Sequence, residues 1–202
     1  EKILPLLTKM GRRILHTGEL GSASILKVIT NYLATANLVS CAEALTVAKA
    51  SGMDLRTAYE AIKISSGTSF VHETESQVIL NGSRDISFTM GLVAKDIGLF
   101  QEVADRSGVK LELNPILISI FEDGIEKYGL NEYSPNIIKR LEKRSGLSVV
   151  ASGFPAEIDD KDPEAEIIDA EYPLINSSNS KPYHFIHGYR FFLEEKLGLK
   201  IP

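Results

Sequence analysis

The chain has 202 residues, 44% of them hydrophobic and 24% charged, enough for one globular domain with a real core. A formal net charge of −5 argues against nucleic acid as the main partner, because phosphate backbones call for clustered Lys and Arg. It leaves room for a small anionic substrate at a local positive site.

Glu1 to Lys9 reads as a short helix with Ile3, Leu6 and Leu7 on one side, closed by Met10-Gly11. Arg12 to His16 is a brief strand-like run, and a lone strand should pair with a sheet outside this stretch. Gly18 to Ser24 is a turn with N-cap candidates at Ser22 and Ser24. Ile25 to Ala50 is apolar nearly all round, which predicts a buried helix. Lys27, Asn31, Asn37 and Glu43 interrupt it. A membrane span needs about twenty apolar residues, so no membrane partner is expected. No signal peptide is read either.

Asp54 is an N-cap for a helix carrying Leu55, Tyr59 and Ile62, which Ser65-Ser66-Gly67 ends. Phe70 to Leu80 forms the next, closed by Asn81-Gly82. Thr89 to Arg106 repeats Val93, Ile97, Phe100 and Val103 on one face. Asn114-Pro115 pairs an N-cap with proline at the first helical position, and that helix runs to Tyr128-Gly129. Ser134-Pro135 starts a further helix to Arg144. Beyond Gly146 the character changes. Val149 to Pro155 is short and broken by Gly and Pro, and Glu157 to Glu171 is rich in carboxylates. His184 to Gly198 could close the chain with an aromatic amphipathic helix. The expected class is all-α with one short N-terminal strand. The expected division is a helical domain over 1–145 and an acidic extension with a terminal helix over 146–202.

Lys27 is the residue with the clearest chemical meaning. It lies in the first turns of a helix that otherwise reads as buried, where burial would lower its pKa and fit it to carry a proton near neutral pH. Asn31, four residues on, shares its face. The competing reading lets Lys27 extend to the surface along its apolar stem. Lys95-Asp96 sits mid-helix among apolar neighbours and reads, on the residues alone, as a solvated patch with a surface ion pair. The four histidines lack metal-ligand spacing, so no metal is expected. Gly18, Gly21, Gly52 and Gly67 make no G-x-G-x-x-G after a strand. Cys41, the only cysteine, reads as a small core residue. A single thiol cannot close an internal disulfide and fits a reducing, cytoplasmic setting.

The run HTGELGSASILKVITNYL, His16 to Leu33, resembles the glycine-rich turn and catalytic helix of the 3-hydroxyisobutyrate dehydrogenase family. Gly18, Gly21, Ser22, Lys27 and Asn31 carry that likeness. FTMGLVAKDIGLF, with Phe88, Lys95 and Asp96, is similar to the family's second signature. The similarity covers roughly Glu1 to Arg144. Thr30 stands where 6-phosphogluconate dehydrogenases place a histidine, which favours a small β-hydroxy acid over a phosphosugar acid. Lys27 also argues against the imine reductase branch.

The resemblance implies a helical domain of the 6-phosphogluconate dehydrogenase C-terminal-like type. It also implies an N-terminal Rossmann domain, outside these residues, that holds most of the NAD or NADP. Lys27 would be the catalytic proton carrier. Asn31 would bind substrate, and Lys95 and Phe88 would approach the cofactor. Asp96 would hold Lys95 or cap the packing. The partners implied are a small hydroxy acid and a second copy of the chain, met through the helical domain. The alternative is a helical dimerisation or interaction module that keeps the fold without the activity.

Overall fold

In a computed structural model, Leu6 and residues 14–155 are described. The chain divides into two compact units, one of residues 24–160 and one of residues 1–23 with 161–202. In the second, Leu6 is helical; the rest of the helix expected over Glu1 to Lys9 lies outside the described residues. Of the strand expected over Arg12 to His16, Arg12 and Arg13 lie outside them, and Ile14 to His16 form no strand. Those three residues carry no ladder, and a strand exists only through its pairing. Thr17 and Ser22 share a hydroxyl hydrogen bond of 2.7 Å.

The larger unit is built of helices: α1 (Ser22–Ala50), α2 (Leu55–Lys63), α3 (Phe70–Asn81), α4 (Met90–Arg106) and α5 (Asn114–Tyr128), a 3-10 turn (Ser134–Ile138) and α6 (Lys139–Ser145). Among the described residues there is no strand, only an isolated antiparallel bridge between Thr89 and Tyr133. The boundaries follow local chemistry. Asp54, Ser69 and Thr89 each accept a backbone N–H three residues on, from Thr57, His72 and Leu92, satisfying donors that a helix start leaves open. Gly82 and Gly146 close α3 and α6 with positive φ of 84° and 69°, where a side chain would be strained.

Asn114 departs from the expected cap. It is the first residue of α5, and its side-chain amide donates to the Ile97 carbonyl at 3.1 Å and to Gln101 Oε1 at 3.0 Å. The side chain is thus held against α4 through its amide nitrogen, while Oδ1, the acceptor a cap would use, is buried without a hydrogen bond. Ser22 is likewise helical rather than capping.

The core gathers Leu38, Ala42 and Leu45 of α1 with Ile79 and Leu80 of α3, Val93 and Ile97 of α4, and Leu117 and Phe121 of α5. α1 is buried on one side only: Leu33 is 52% exposed and Val47 64%, and Ile25 and Leu26 are also open. The expectation of a helix buried all round is therefore corrected. α1 is 29 residues long with a mean hydropathy of 1.2 over an 18-residue window, so by length and composition it could cross a membrane. That corrects the expectation that no run qualifies, because Lys27, Glu43 and Lys49 are spaced so widely that some stretches of 18 consecutive residues hold only one of them. Its Leu38–Ala42–Leu45 side packs into the protein core.

Residues after α6 return to the same body. Val149 is fully buried, Ala151 N–H donates to the Leu80 carbonyl at 2.8 Å, and Phe154 meets Tyr59 edge-on with ring centroids 5.1 Å apart. Glu142 ties this segment down. It accepts Arg84 through both oxygens, at 2.7 and 2.8 Å, and the Val149 N–H at 2.8 Å. The acidic run Glu157–Glu171 and the helix expected over His184–Gly198 lie outside the described residues.

Candidate active site

α1 presents Lys27 and Asn31 one turn apart, so both side chains leave the same face. α4 crosses them with Asp96, which sits on the apolar side of that helix beside Val93 and Ile97 and is itself buried. Lys27 Nζ donates to Asp96 Oδ2 at 2.6 Å, and Asn31 Nδ2 donates to the same oxygen at 2.5 Å. Lys95 Nζ stands 3.5 Å from the other oxygen, Oδ1. Two segments separated by 69 positions thus converge on one carboxylate. One turn further along both helices, Tyr32 stacks on Phe100 with centroids 4.2 Å apart, which locks the crossing.

The two lysines and the aspartate differ sharply in exposure. The Lys27 and Lys95 side chains are 51% and 57% accessible, whereas Asp96 is 1% accessible. Of the two readings of Lys27, the half-exposed side chain agrees with the one that extends it toward the surface, beside the carboxylate that holds it. Burial alone pushes the Asp96 carboxyl up. Hydrogen bonds from Lys27 and Asn31, with the charges of Lys27 and Lys95, outweigh that effect and hold it below the ordinary carboxylate value.

Of the residues singled out in the sequence, Lys27, Asn31 and Lys95 are brought together. Phe88 is not part of the hydrogen-bonded cluster. It is partly buried against the core just before α4, and its carbonyl accepts the Ser134 N–H at 2.8 Å. Sequence reasoning gave Asp96 to Lys95 or to capping the packing, and missed its bonds to α1. The available signal was an aspartate on the apolar stripe of a helix, where a charge must find partners.

Other polar groups are engaged elsewhere. His72 is fully buried, with Nε2 2.9 Å from the Tyr59 carbonyl and Nδ1 3.2 Å from Ser76 Oγ. Cys41 is a buried free thiol, pushed up chiefly by desolvation. Glu75 of α3, whose Oε2 is buried without a hydrogen bond, is raised to about 7 by burial.

Chemically, the Lys27–Asn31–Asp96–Lys95 cluster combines two water-accessible ammonium groups with one buried carboxylate. An ammonium has three N–H donors, and Lys27 gives one to Asp96, so the remainder can meet a substrate oxygen. The formal charges sum to plus one, which suits a mono-anionic ligand. The open amines also fit an approaching nucleotide, whose phosphate and ribose oxygens are acceptors.

Comparison with known proteins gives a consistent family. Residues 21–141, more than half of the chain, match the family described as NAD-binding of NADP-dependent 3-hydroxyisobutyrate dehydrogenase. The 2-(hydroxymethyl)glutarate dehydrogenase of Eubacterium barkeri is 35% identical over 151 residues, covering 74% of this chain and 50% of that protein. The NAD-dependent L-serine dehydrogenase of Pseudomonas aeruginosa is 32% identical over 148 residues, covering 70% and 49%. In fold, the chain is similar to the solved 3-hydroxyisobutyrate dehydrogenase of Mycobacterium tuberculosis, studied with L-serine, with a TM-score of 0.62 at 21% identity over 69% of this chain and 50% of that one. The chain spans about half the length of these relatives. The cofactor of the family is NAD(P). With its two signature segments meeting at one carboxylate, the chain belongs to the NAD-binding family of NADP-dependent 3-hydroxyisobutyrate dehydrogenase.

Proposed function

We propose that this chain is the helical C-terminal part of an NAD(P)-dependent dehydrogenase or reductase of small β-hydroxy acids, with a fold of the 6-phosphogluconate dehydrogenase C-terminal-like type. The observation that carries this reading is the convergence of Lys27 and Asn31 from α1 with Lys95 beside Asp96 of α4. Bound NAD(P), held mainly by a Rossmann domain outside these residues, supplies the hydride acceptor or donor. In its neutral form the Lys27 amine takes the hydroxyl proton as the carbinol carbon is oxidised and its hydride leaves to the cofactor; as the ammonium it returns that proton to the carbonyl oxygen in reduction. Asn31 holds the substrate oxygen or the amine in place through its side-chain amide. Lys95, with Phe88, faces the cofactor, and its charge meets an anionic oxygen there. A hydroxy acid carries the single negative charge that the cluster's charge balance favours.

The test is a panel of small hydroxy acids assayed with the complete protein and its Lys27→Ala variant. Turnover of a β-hydroxy acid with NAD or NADP is expected, and the variant should lose about a thousandfold in kcat with folding intact. Undiminished turnover by Lys27→Ala would overturn the reading.

One observation favours a second reading, a helical module that dimerises without catalysis. The open apolar residues of α1, Ile25, Leu26, Leu33 and Val47, are the kind of surface that a second copy covers. If the complete protein dimerises and turns over no member of the panel, this reading replaces the first. A dimer with activity joins the two, since the same helix would then serve both assembly and chemistry.

A further inference from the structure

We propose that Asp96 is the positioning residue of this site: through Oδ2 it fixes the Lys27 amine and the Asn31 amide together, and through Oδ1 it faces Lys95. The proposal rests on the reading of Lys27 as the proton carrier, and the experiment below separates the two.

A carboxylate that is 1% accessible in the middle of a helix is costly unless it is paired. Asp96 is paired unevenly. Oδ2 accepts both Lys27 and Asn31, at 2.6 and 2.5 Å, whereas Oδ1 is buried without a hydrogen bond. Lys95 contacts Oδ1 only as a charge, at 3.5 Å. An aspartate serving only to join α1 to α4 would be expected to satisfy both oxygens, as buried polar groups do. Here the satisfied oxygen is the one that meets the proton carrier and its neighbour.

The side chain it holds gains most from being held. Lys27 is half in water on a flexible four-carbon stem, so without an anchor its amine would sample many rotamers. A rigid acceptor on the neighbouring helix selects one of them. Asn31, bound to the same oxygen, keeps a fixed relation to the amine, and its own carbonyl accepts the Thr35 hydroxyl at 2.9 Å within α1. The charged groups acting on Asp96 are Lys27 from α1 and Lys95 from its own helix. Asp96 would thus act through Lys27, by fixing where the amine points.

The experiment compares Asp96→Asn, Asp96→Glu, Lys27→Ala and the double variant Lys27→Ala/Asp96→Asn in the complete enzyme, with thermal midpoints measured alongside. Asp96→Asn keeps shape and an acceptor but removes the charge. It should lower kcat about tenfold or more with KM changed less than about threefold. Asp96→Glu keeps the charge but displaces the amine by one methylene. It should lose about tenfold in kcat, and it decides the matter should Asp96→Asn fail to fold. In the Lys27→Ala background, Asp96→Asn should change the residual rate less than about twofold, since a residue that acts through Lys27 has nothing left to act on. Full activity in Asp96→Asn, or wild-type kcat in Asp96→Glu, would overturn the role of Asp96 while a severe Lys27→Ala defect leaves Lys27 as the proton carrier. A harmless Lys27→Ala would overturn the underlying reading itself.

Discussion

Asp96 and Glu75 are both carboxylates drawn largely out of water, and their neighbours send them in opposite directions. Asp96 meets Lys27, Asn31 and Lys95, and stays ionised. Glu75 has no such company, and desolvation alone lifts it to about 7 from an ordinary 4.5. Between these values the unfolded chain has released a proton that the folded chain retains, so Glu75 makes stability fall as pH rises from 4.5 through about 7. Glu75→Gln should therefore stabilise the protein by roughly 1–3 kcal/mol at pH about 8 and by little near pH about 4.5. Denaturant midpoints at the two pH values check this, and an equal shift at both would contradict it. Asp123 works the other way. Hydrogen bonds from Lys127 and Arg140 hold it down at about 2, so its contribution is present above 3.8 and is lost as pH falls through about 2.

At the scale of elements, helix approach is set by small residues. Gly124 of α5 lies where an added Cβ would stand 2.6 Å from Ile137 Cδ1 and 3.2 Å from Met90 Sδ, both on buried residues. Gly124→Ala gains helix propensity of about 1 kcal/mol, but overpacking costs about 1–3 kcal/mol, so a net loss is expected as a lower urea midpoint with an unchanged slope. A raised midpoint would show that the neighbours yield freely. The helices themselves were legible because periodicity and caps are local. Asp54 caps as its sequence position indicates, and Asn81-Gly82 ends α3. Asn114 was not legible as a tertiary donor, because its partners Ile97 and Gln101 belong to another helix. α1 misled for a related reason. Apolar composition tells that a surface avoids water, not whether this chain supplies its cover, and Leu33 and Val47 stay open. The same locality hid Asp96. Lys27 and Asn31 could be placed on one face from their spacing, but no local rule connects them to a residue more than sixty positions away.

At the scale of the molecule, the helical body reaches past α6. Ala151 and Phe154 return to α3 and α2, and the Val149 N–H is held by Glu142 of the Arg84–Glu142 pair. Val149→Ala should cost about 1–3 kcal/mol by opening a small cavity, read as a lower thermal midpoint; no change would mean the segment only rests on the body. The chain matches its dehydrogenase relatives over about half of their length, and the two family signatures within it meet at one carboxylate. Every role assigned at this site depends on Lys27 carrying the proton. A crystal structure of the complete protein with NAD(P) and a bound hydroxy acid tests it most directly. The substrate hydroxyl is expected about 3 Å from Lys27 Nζ, with Lys27 still on Asp96. A bound, reactive hydroxy acid whose hydroxyl meets a different base, with Lys27 turned away from it, would contradict the claim.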